Sequence, residues 1–159
     1  MKNERMNGLT EPLAAIFNFR LIDPNLGTGG QPREEQFSAI AAAGYQAVVN
    51  IALPTSDNAI AKEGSIVTQL GLSYFHIPVD FAAPKAEDFQ TFCGIMKALE
   101  GRRVFVHCAA NMRVSAFVYL YRVLHQKMPA AEAEVNLKSI WEPNPVWTRF
   151  IQDRLSAQS

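Results

Sequence analysis

Apolar and polar positions fall into short blocks along this chain, and the blocks predict an ordered series of strands and helices. Ile16-Phe17-Asn18-Phe19-Arg20-Leu21 alternates, which predicts a strand. Asp23-Pro24-Asn25 turns it, and Leu26 to Thr28 predicts a short second strand. Gly29-Gly30-Gln31 reads as a loop, and Pro32 suits a first helical turn. The spacing then predicts a helix over 32–43, with Gly44 at its C-terminal cap. Ala47 to Ile51 is a buried strand, Leu53 to Asn58 a loop, and Ala59 to Leu70 a helix ended by Gly71. Leu72 to Ile77 is the next strand. Val79 to Pro84 is a loop, and Glu87 to Leu99 a helix. Val104 to Val106 predicts a buried strand, and Val114 to Leu124, apolar on nearly every side, a buried helix. Two further helices, Ala130 to Ile140 and Pro145 to Leu155, close the pattern.

Strands alternating with helices predict an α/β domain with a largely parallel central sheet flanked by helices. In such sheets ligands sit beyond the carboxyl ends of the strands. The loops after Ile51, Ile77 and Val106 open on that edge. Residues 1–13 read as a polar lead-in, and 14–159 as one domain without repeat or linker. The 159 residues suffice for one real core.

Charge changes the picture by what it removes. Fifteen basic residues balance fifteen acidic ones, so no basic excess points to nucleic acid or a membrane surface. Attraction for an anionic substrate must then be local. No apolar run reaches membrane-span length, and Leu13 to Phe17 is too short for a signal-peptide core. The expected location is cytoplasmic, with the periplasm as the alternative if a signal segment has been removed. Cys93 and Cys108 do not form a disulfide framework. His76 and His125 lack metal-ligand spacing, so neither a metal nor a cofactor is expected.

The candidate chemistry lies in Arg103 to Leu120. A loop between a buried strand and a buried helix begins with Cys108 and ends with Arg113. Such a loop aims backbone N–H groups at one spot, and the helix N-terminus adds partial positive charge there. A thiol in that field ionises more readily than a free one. The same N–H groups, from Ala109, Ala110, Asn111 and Met112, with an arginine fork, can hold an oxyanion.

His107-Cys108 after an apolar strand, Arg113 at a helix start and Asp80 in the preceding strand–helix loop resemble the cysteine-dependent protein phosphatases. The resemblance is to the dual-specificity type and a bacterial branch of it. Gly29-Gly30-Gln31-Pro32, Gly44 to Asn50 and Asn144-Pro145-Val146-Trp147 extend it over about residues 16–152. It implies a phosphatase-like three-layer fold and two-step hydrolysis of a phosphate monoester. Cys108 would attack phosphorus and Arg113 would bind the equatorial oxygens. Asp80 would act as acid and then base, and Ser115 would assist departure of the sulfur. His107 would support the cysteine loop from behind. The implied partners are a phosphorylated protein or small phosphoester, with phosphate or sulfate in the site.

The loop departs from the usual pattern. Four residues, not five, separate Cys108 from Arg113, Val114 intervenes before Ser115, and glycine is missing. Asn111 is the non-glycine residue best suited to the left-handed turn that a nest of N–H groups needs. The bacterial branch is expected to share the shorter spacing.

Blander readings stand beside these. Cys108 could be a small buried hydrophobe, Arg113 a structural cation, and Asp80 a turn former. Asp88 reads first as a helix-dipole residue, and Cys93 as part of an apolar helical stripe. Trp141 and Trp147 are expected to dock the last helix. Two other functions fit the loop: a rhodanese-like sulfurtransferase carrying a persulfide, and a non-catalytic phosphate-binding pseudophosphatase module. His107, Asp80 and Ala109 count against the sulfurtransferase.

Overall fold

Five short strands make one sheet: β1 (Arg20–Asp23), β2 (Leu26–Gly29), β3 (Ala47–Asn50), β4 (Ser73–His76) and β5 (Val104–His107). In the computed structural model, which describes residues 12–157, they lie in the order β1-β2-β5-β3-β4. Only β1 runs antiparallel, joined to β2 by a turn in which the Asn25 amide donates to Asp23 Oδ1 at 2.7 Å. The other neighbours are parallel, so Gly29, Asn50, His76 and His107 all end at one edge. Val104 to Val106 is central, as expected.

Among the described residues six helices of two turns or more cover the sheet: α1 (Gln36–Ala42), α2 (Glu63–Gln69), α3 (Ala86–Ala98), α4 (Met112–Leu124), α5 (Ala130–Ile140) and α6 (Pro145–Ala157). Side chains of a strand alternate between its faces. Val104, Val106 and Val49 therefore face α3 to α6, with Phe92, Phe117 and Trp147. Phe105 and Val48 face the other way, against Phe37 and Ile40 of α1 and Val67 of α2. The result is the expected α/β three-layer domain. Every residue of α4 from Arg113 to Tyr121 is buried, because α3, α5 and α6 surround it. No described helix is long and apolar enough to cross a membrane.

Several boundaries differ from the sequence reading. The strand expected at Ile16 to Leu21 begins only at Arg20. Asn18 takes φ 51°, which turns the chain, and Ile16 packs inward rather than alternating along a strand. Residues 12–14 form a helical turn with Leu13 in the core, so the expected lead-in stops short of them. Its remaining residues, 1–11, lie outside the described residues. The helix expected from Pro32 begins at Gln36, whose side chain accepts the Arg33 amide at 2.8 Å. The helix expected from Ala59 begins at Glu63, because 59–60 are irregular and 61–62 form a turn.

Phe117 is the centre of the larger core, with rings of Phe89, Phe92, Trp147 and Phe150 at 5.3–5.9 Å. Its replacement by alanine is expected to cost about 3–5 kcal/mol of stability in urea unfolding. A cost of about 0.5 kcal/mol, typical of a surface site, would mean that this core is misdescribed.

Candidate active site

The two-residue period of β5 separates its last side chain from the one that follows. His107 continues the Phe105 face toward α2, and Cys108 joins the core on the α4 side. Cys108 is a free thiol, 1% exposed, whose amide donates to Gly29 O at 3.3 Å. The chain then turns into α4 through Asn111, at φ 66° and ψ 2°. This is the left-handed residue that the glycine-free loop calls for. The Asn111 side chain donates to Asn18 O at 2.8 Å and to Thr28 Oγ1 at 3.2 Å.

Neighbouring segments hold the loop's carbonyls. Gln31 N and Asn58 Nδ2 donate to Ala109 O at 3.1 and 3.2 Å, and Asn18 Nδ2 to Ala110 O at 3.0 Å. A Cβ on Gly30 would come within 2.8 Å of Ala109 O, so only glycine permits this approach. The amides of Ala109, Ala110, Met112 and Arg113 meet no acceptor among the described residues. Two of them begin α4, where N–H groups have no intrahelical partner.

Arg113 lies in that first turn and is 6% exposed. Its Nη1 donates to Val79 O at 2.9 Å, and its guanidinium lies 5.8 Å from the Phe81 ring. No described carboxylate forms an ion pair with it. A buried cation at a positive helix end is an electrostatically unfinished arrangement, which an oxyanion completes.

Asp80 follows the carbonyl that Arg113 holds. It is exposed, and its Oδ1 accepts the Ala82 amide at 2.9 Å, which closes a small turn. Trp147 supports this loop by donating to Phe81 O at 2.8 Å. Phe81 also lies 5.6 Å from Trp141 and 6.1 Å from Trp147. The tryptophans thus dock the last helix and brace the Asp80 loop. Ser115 points elsewhere: Oγ donates to Met112 O at 2.8 Å and accepts Trp141 Nε1 at 3.1 Å. One residue of helix turns a side chain by about 100°, and the inserted Val114 carries Ser115 to the tryptophan. Cys93, on α3, is a core residue whose thiol burial pushes up to about 12.

One residue of the site escaped the sequence reading. Glu63 is 3% exposed, and its Oε2 lies 2.7 Å from His107 Nε2. Its Oε1 accepts Gln31 Nε2 at 2.6 Å. Burial pushes its carboxyl up, but the His107 and Gln31 hydrogen bonds outweigh that and hold it below its usual 4.5. The available signal was its spacing: Glu63 stands four positions before buried Val67, on the inward face of α2. His107 Nδ1 lies 3.2 Å from Cys108 O, so a helix-borne acid reaches the cysteine peptide through one imidazole.

A thiol, a guanidinium without a carboxylate partner, unpaired amides and a neighbouring acid, all among the described residues of one sheet edge, are the parts of an anion-binding nucleophilic site. The sequence profile of the family described as "DSP-PTPase phosphatase fused to NAD+ Kinase" matches residues 22–146. This chain belongs to that DSP-PTPase family. The family lies within the cysteine-dependent phosphatase superfamily. A DUF442 protein from Shewanella putrefaciens CN-32, which carries a provisional phosphatase name, is 34% identical. The match covers 94% of this chain and 99% of that one, with a TM-score of 0.85. Tk-PTP in its active form shares the fold, with a TM-score of 0.70 at 20% identity over 89% of this chain and 95% of its own. A "Beta-lactamase hydrolase-like protein" of Xylella fastidiosa (strain 9a5c) is 28% identical over 72% of this chain. This chain spans only 28% of that relative's length.

Two outcomes test the geometry of this phosphatase-family loop. Asn111→Gly keeps the left-handed turn but loses two hydrogen bonds, whereas Asn111→Ala loses the same bonds and keeps a Cβ in that turn. Alanine is expected to be less stable than glycine by about 1 kcal/mol in urea unfolding; equal stabilities would mean that the turn is unstrained. Glu63 has a folded-state pKa below its unfolded one. Its stabilisation is therefore full above 4.5 and lost as pH falls through the lower folded value. Wild type should lose stability below that pH more steeply than Glu63→Gln, read from thermal midpoints across acid pH. Parallel curves would contradict the depressed carboxyl.

Proposed function

We propose that this protein hydrolyses phosphate monoesters through a phosphocysteine intermediate at Cys108. The buried Arg113, without a carboxylate partner among the described residues and beside unpaired loop amides, carries the reading. The Cys108 thiolate attacks phosphorus as the ester oxygen leaves, forming a sulfur–phosphorus bond. Ala109, Ala110, Asn111 and Met112 of the loop and the Arg113 fork hold the phosphoryl oxygens as charge spreads over them. Asp80 protonates the leaving oxygen. It then takes a proton from the water that attacks the phosphocysteine, which restores the thiolate and releases phosphate. His107 holds the start of the loop from the opposite face. Ser115 is given no step in this reading, since its hydroxyl donates to Met112 O. The substrates are phosphotyrosine or phosphoserine proteins, or small phosphoesters, and the cytoplasm is the proposed compartment.

Cys108→Ser is expected to abolish turnover of aryl and alkyl phosphates while phosphate binding survives. Asp80→Ala should slow alkyl phosphates far more than aryl ones, since only poor leaving groups need protonation; general acids contribute roughly 10²–10⁴-fold. Undiminished hydrolysis by Cys108→Ser would remove the nucleophile assignment. Thiosulfate turnover with a cyanide acceptor, in the absence of ester hydrolysis, would identify a sulfurtransferase. Binding with no turnover of either class would identify an anion-binding module.

A further inference from the structure

We propose that the cleft between β1, α4 and α5 binds a short acidic segment of a partner protein that carries an apolar side chain. The cleft measures about 350 Å³, within the range of roughly 300–1,000 Å³ in which ligand sites fall. Arg20 of β1 and Arg122 of α4 line it, with Ser139 and Glu132 of α5. Ile22 and Val135 give it an apolar wall. No residue of the catalytic loop and no part of the Asp80 turn belongs to it, so the proposal stands apart from the phosphatase reading.

Charge is the first argument. Neither arginine forms an ion pair with a carboxylate among the described residues. Arg20 donates from Nε to Ser139 Oγ at 3.1 Å, from Nη2 to Ser139 O at 3.1 Å and from Nη1 to Phe19 O at 2.9 Å. These neutral acceptors fix the guanidinium and leave one N–H on each terminal nitrogen. Arg122 stands in the last turn of α4, where the helix dipole favours a cation. Its Nε is buried without a hydrogen-bond partner. Glu132 is the one acid on the cleft, and it lies in the first turn of α5, where that helix's dipole already favours it. On a chain with no net charge, this cleft therefore carries a local positive excess.

Exposed apolar surface is the second. Five large apolar residues are exposed among the described residues, and two of them, Leu21 and Val135, line this cleft. Val135 is 69% exposed in the middle of α5. A small free anion would engage the arginines and leave that valine in water. A nucleic acid calls for a wider basic surface than two arginines and one acid provide. A peptide matches both features, with carboxylates on the guanidinium forks and an apolar side chain over Val135. The shape of β1 limits its length. β1 is an edge strand of four residues whose register shifts between Leu21 and Asp23, so it does not template a long partner strand.

Amide correlation spectra of the isotope-labelled full chain, titrated with three pools of synthetic heptapeptides, test this. One pool has acidic flanks and a central leucine or phenylalanine, the second acidic flanks and a central serine, and the third neutral flanks and a central leucine. The first pool is expected to shift the amides of Leu21, Val135 and Asn136, and to bind several-fold more tightly than the other two. Arg122→Gln should weaken that binding by roughly tenfold, the factor for one charge-assisted hydrogen bond. Val135→Ser should weaken it by roughly fivefold through lost apolar contact. If Arg122→Gln lowers the thermal midpoint, Val135→Ser decides alone, because that side chain already lies in water. Shifts confined to Cys108 through Arg113 would place the peptides in the catalytic loop and overturn the proposal. Equal binding of the central-serine pool would reduce the cleft to a bare anion site and overturn it too. So would binding that Val135→Ser leaves unchanged, or no binding by any pool.

Discussion

Glu63 and His107 meet in the interior at 2.7 Å, between the first residue of a helix and the last residue of the central strand. A carboxylate so buried is destabilising unless it is paired and hydrogen-bonded, and here both oxygens are engaged. The pairing has three structural consequences. It seats the start of α2 against the sheet. It commits His107 to one face of β5, so the pleat sends Cys108 to the other. Through Nδ1 it fixes the Cys108 carbonyl, from which the loop departs. Gln31 ties the segment before α1 to the same pair, and its amide also holds Ala109 O. Fold and site therefore share one set of hydrogen bonds.

The opposite face is arranged around a cation with no carboxylate partner among the described residues. Arg113 is buried at the positive end of α4, and a neutral carbonyl is its hydrogen-bond partner. What holds it there is distant in sequence. Phe81 lies beneath the guanidinium, and Trp147 of the last helix pins the Phe81 carbonyl. The loop bearing Asp80 is thus fixed from both sides, by Arg113 at Val79 and by Trp147 at Phe81. A change in α6 would reach the site through that carbonyl without touching the cysteine.

How much of this was legible in the sequence depends on how local each cause is. Cys108, Arg113 and the left-handed Asn111 lie within one short stretch, where strand, turn and helix signals agree. The spacing of Ser115 was legible too, since an inserted residue rotates a helical side chain by a known angle. Glu63 was not legible as a site residue, because its partner lies 44 positions away and an acid near a helix start has a ready local explanation. The starts of α1 and α2 were misplaced for a related reason. Gln36 and Glu63 spend their side chains on the preceding loop and the core, and helical periodicity does not record that. At Ile16 to Leu21 the alternation was real, but inward packing of Ile16 and the turn at Asn18 produced it, not a strand.

The short loop raises the question of how a nest of N–H groups holds its shape with one residue fewer and no glycine. Glycine would adopt the turn without strain, but it would lose more freedom on folding and leave Asn18 O and Thr28 Oγ1 without this donor. Asparagine in the left-handed region costs about 1–2 kcal/mol. Each of its two side-chain hydrogen bonds opposes that strain by about 1 kcal/mol in a buried setting. Its neighbours add three more ties to the loop carbonyls, from Gln31, Asn58 and Asn18. With the carbonyls held by protein donors, the amides do not depend on an anion for their order. Most of the entropic cost of shaping the cradle has then been met by folding, and an arriving oxyanion meets donors already in place.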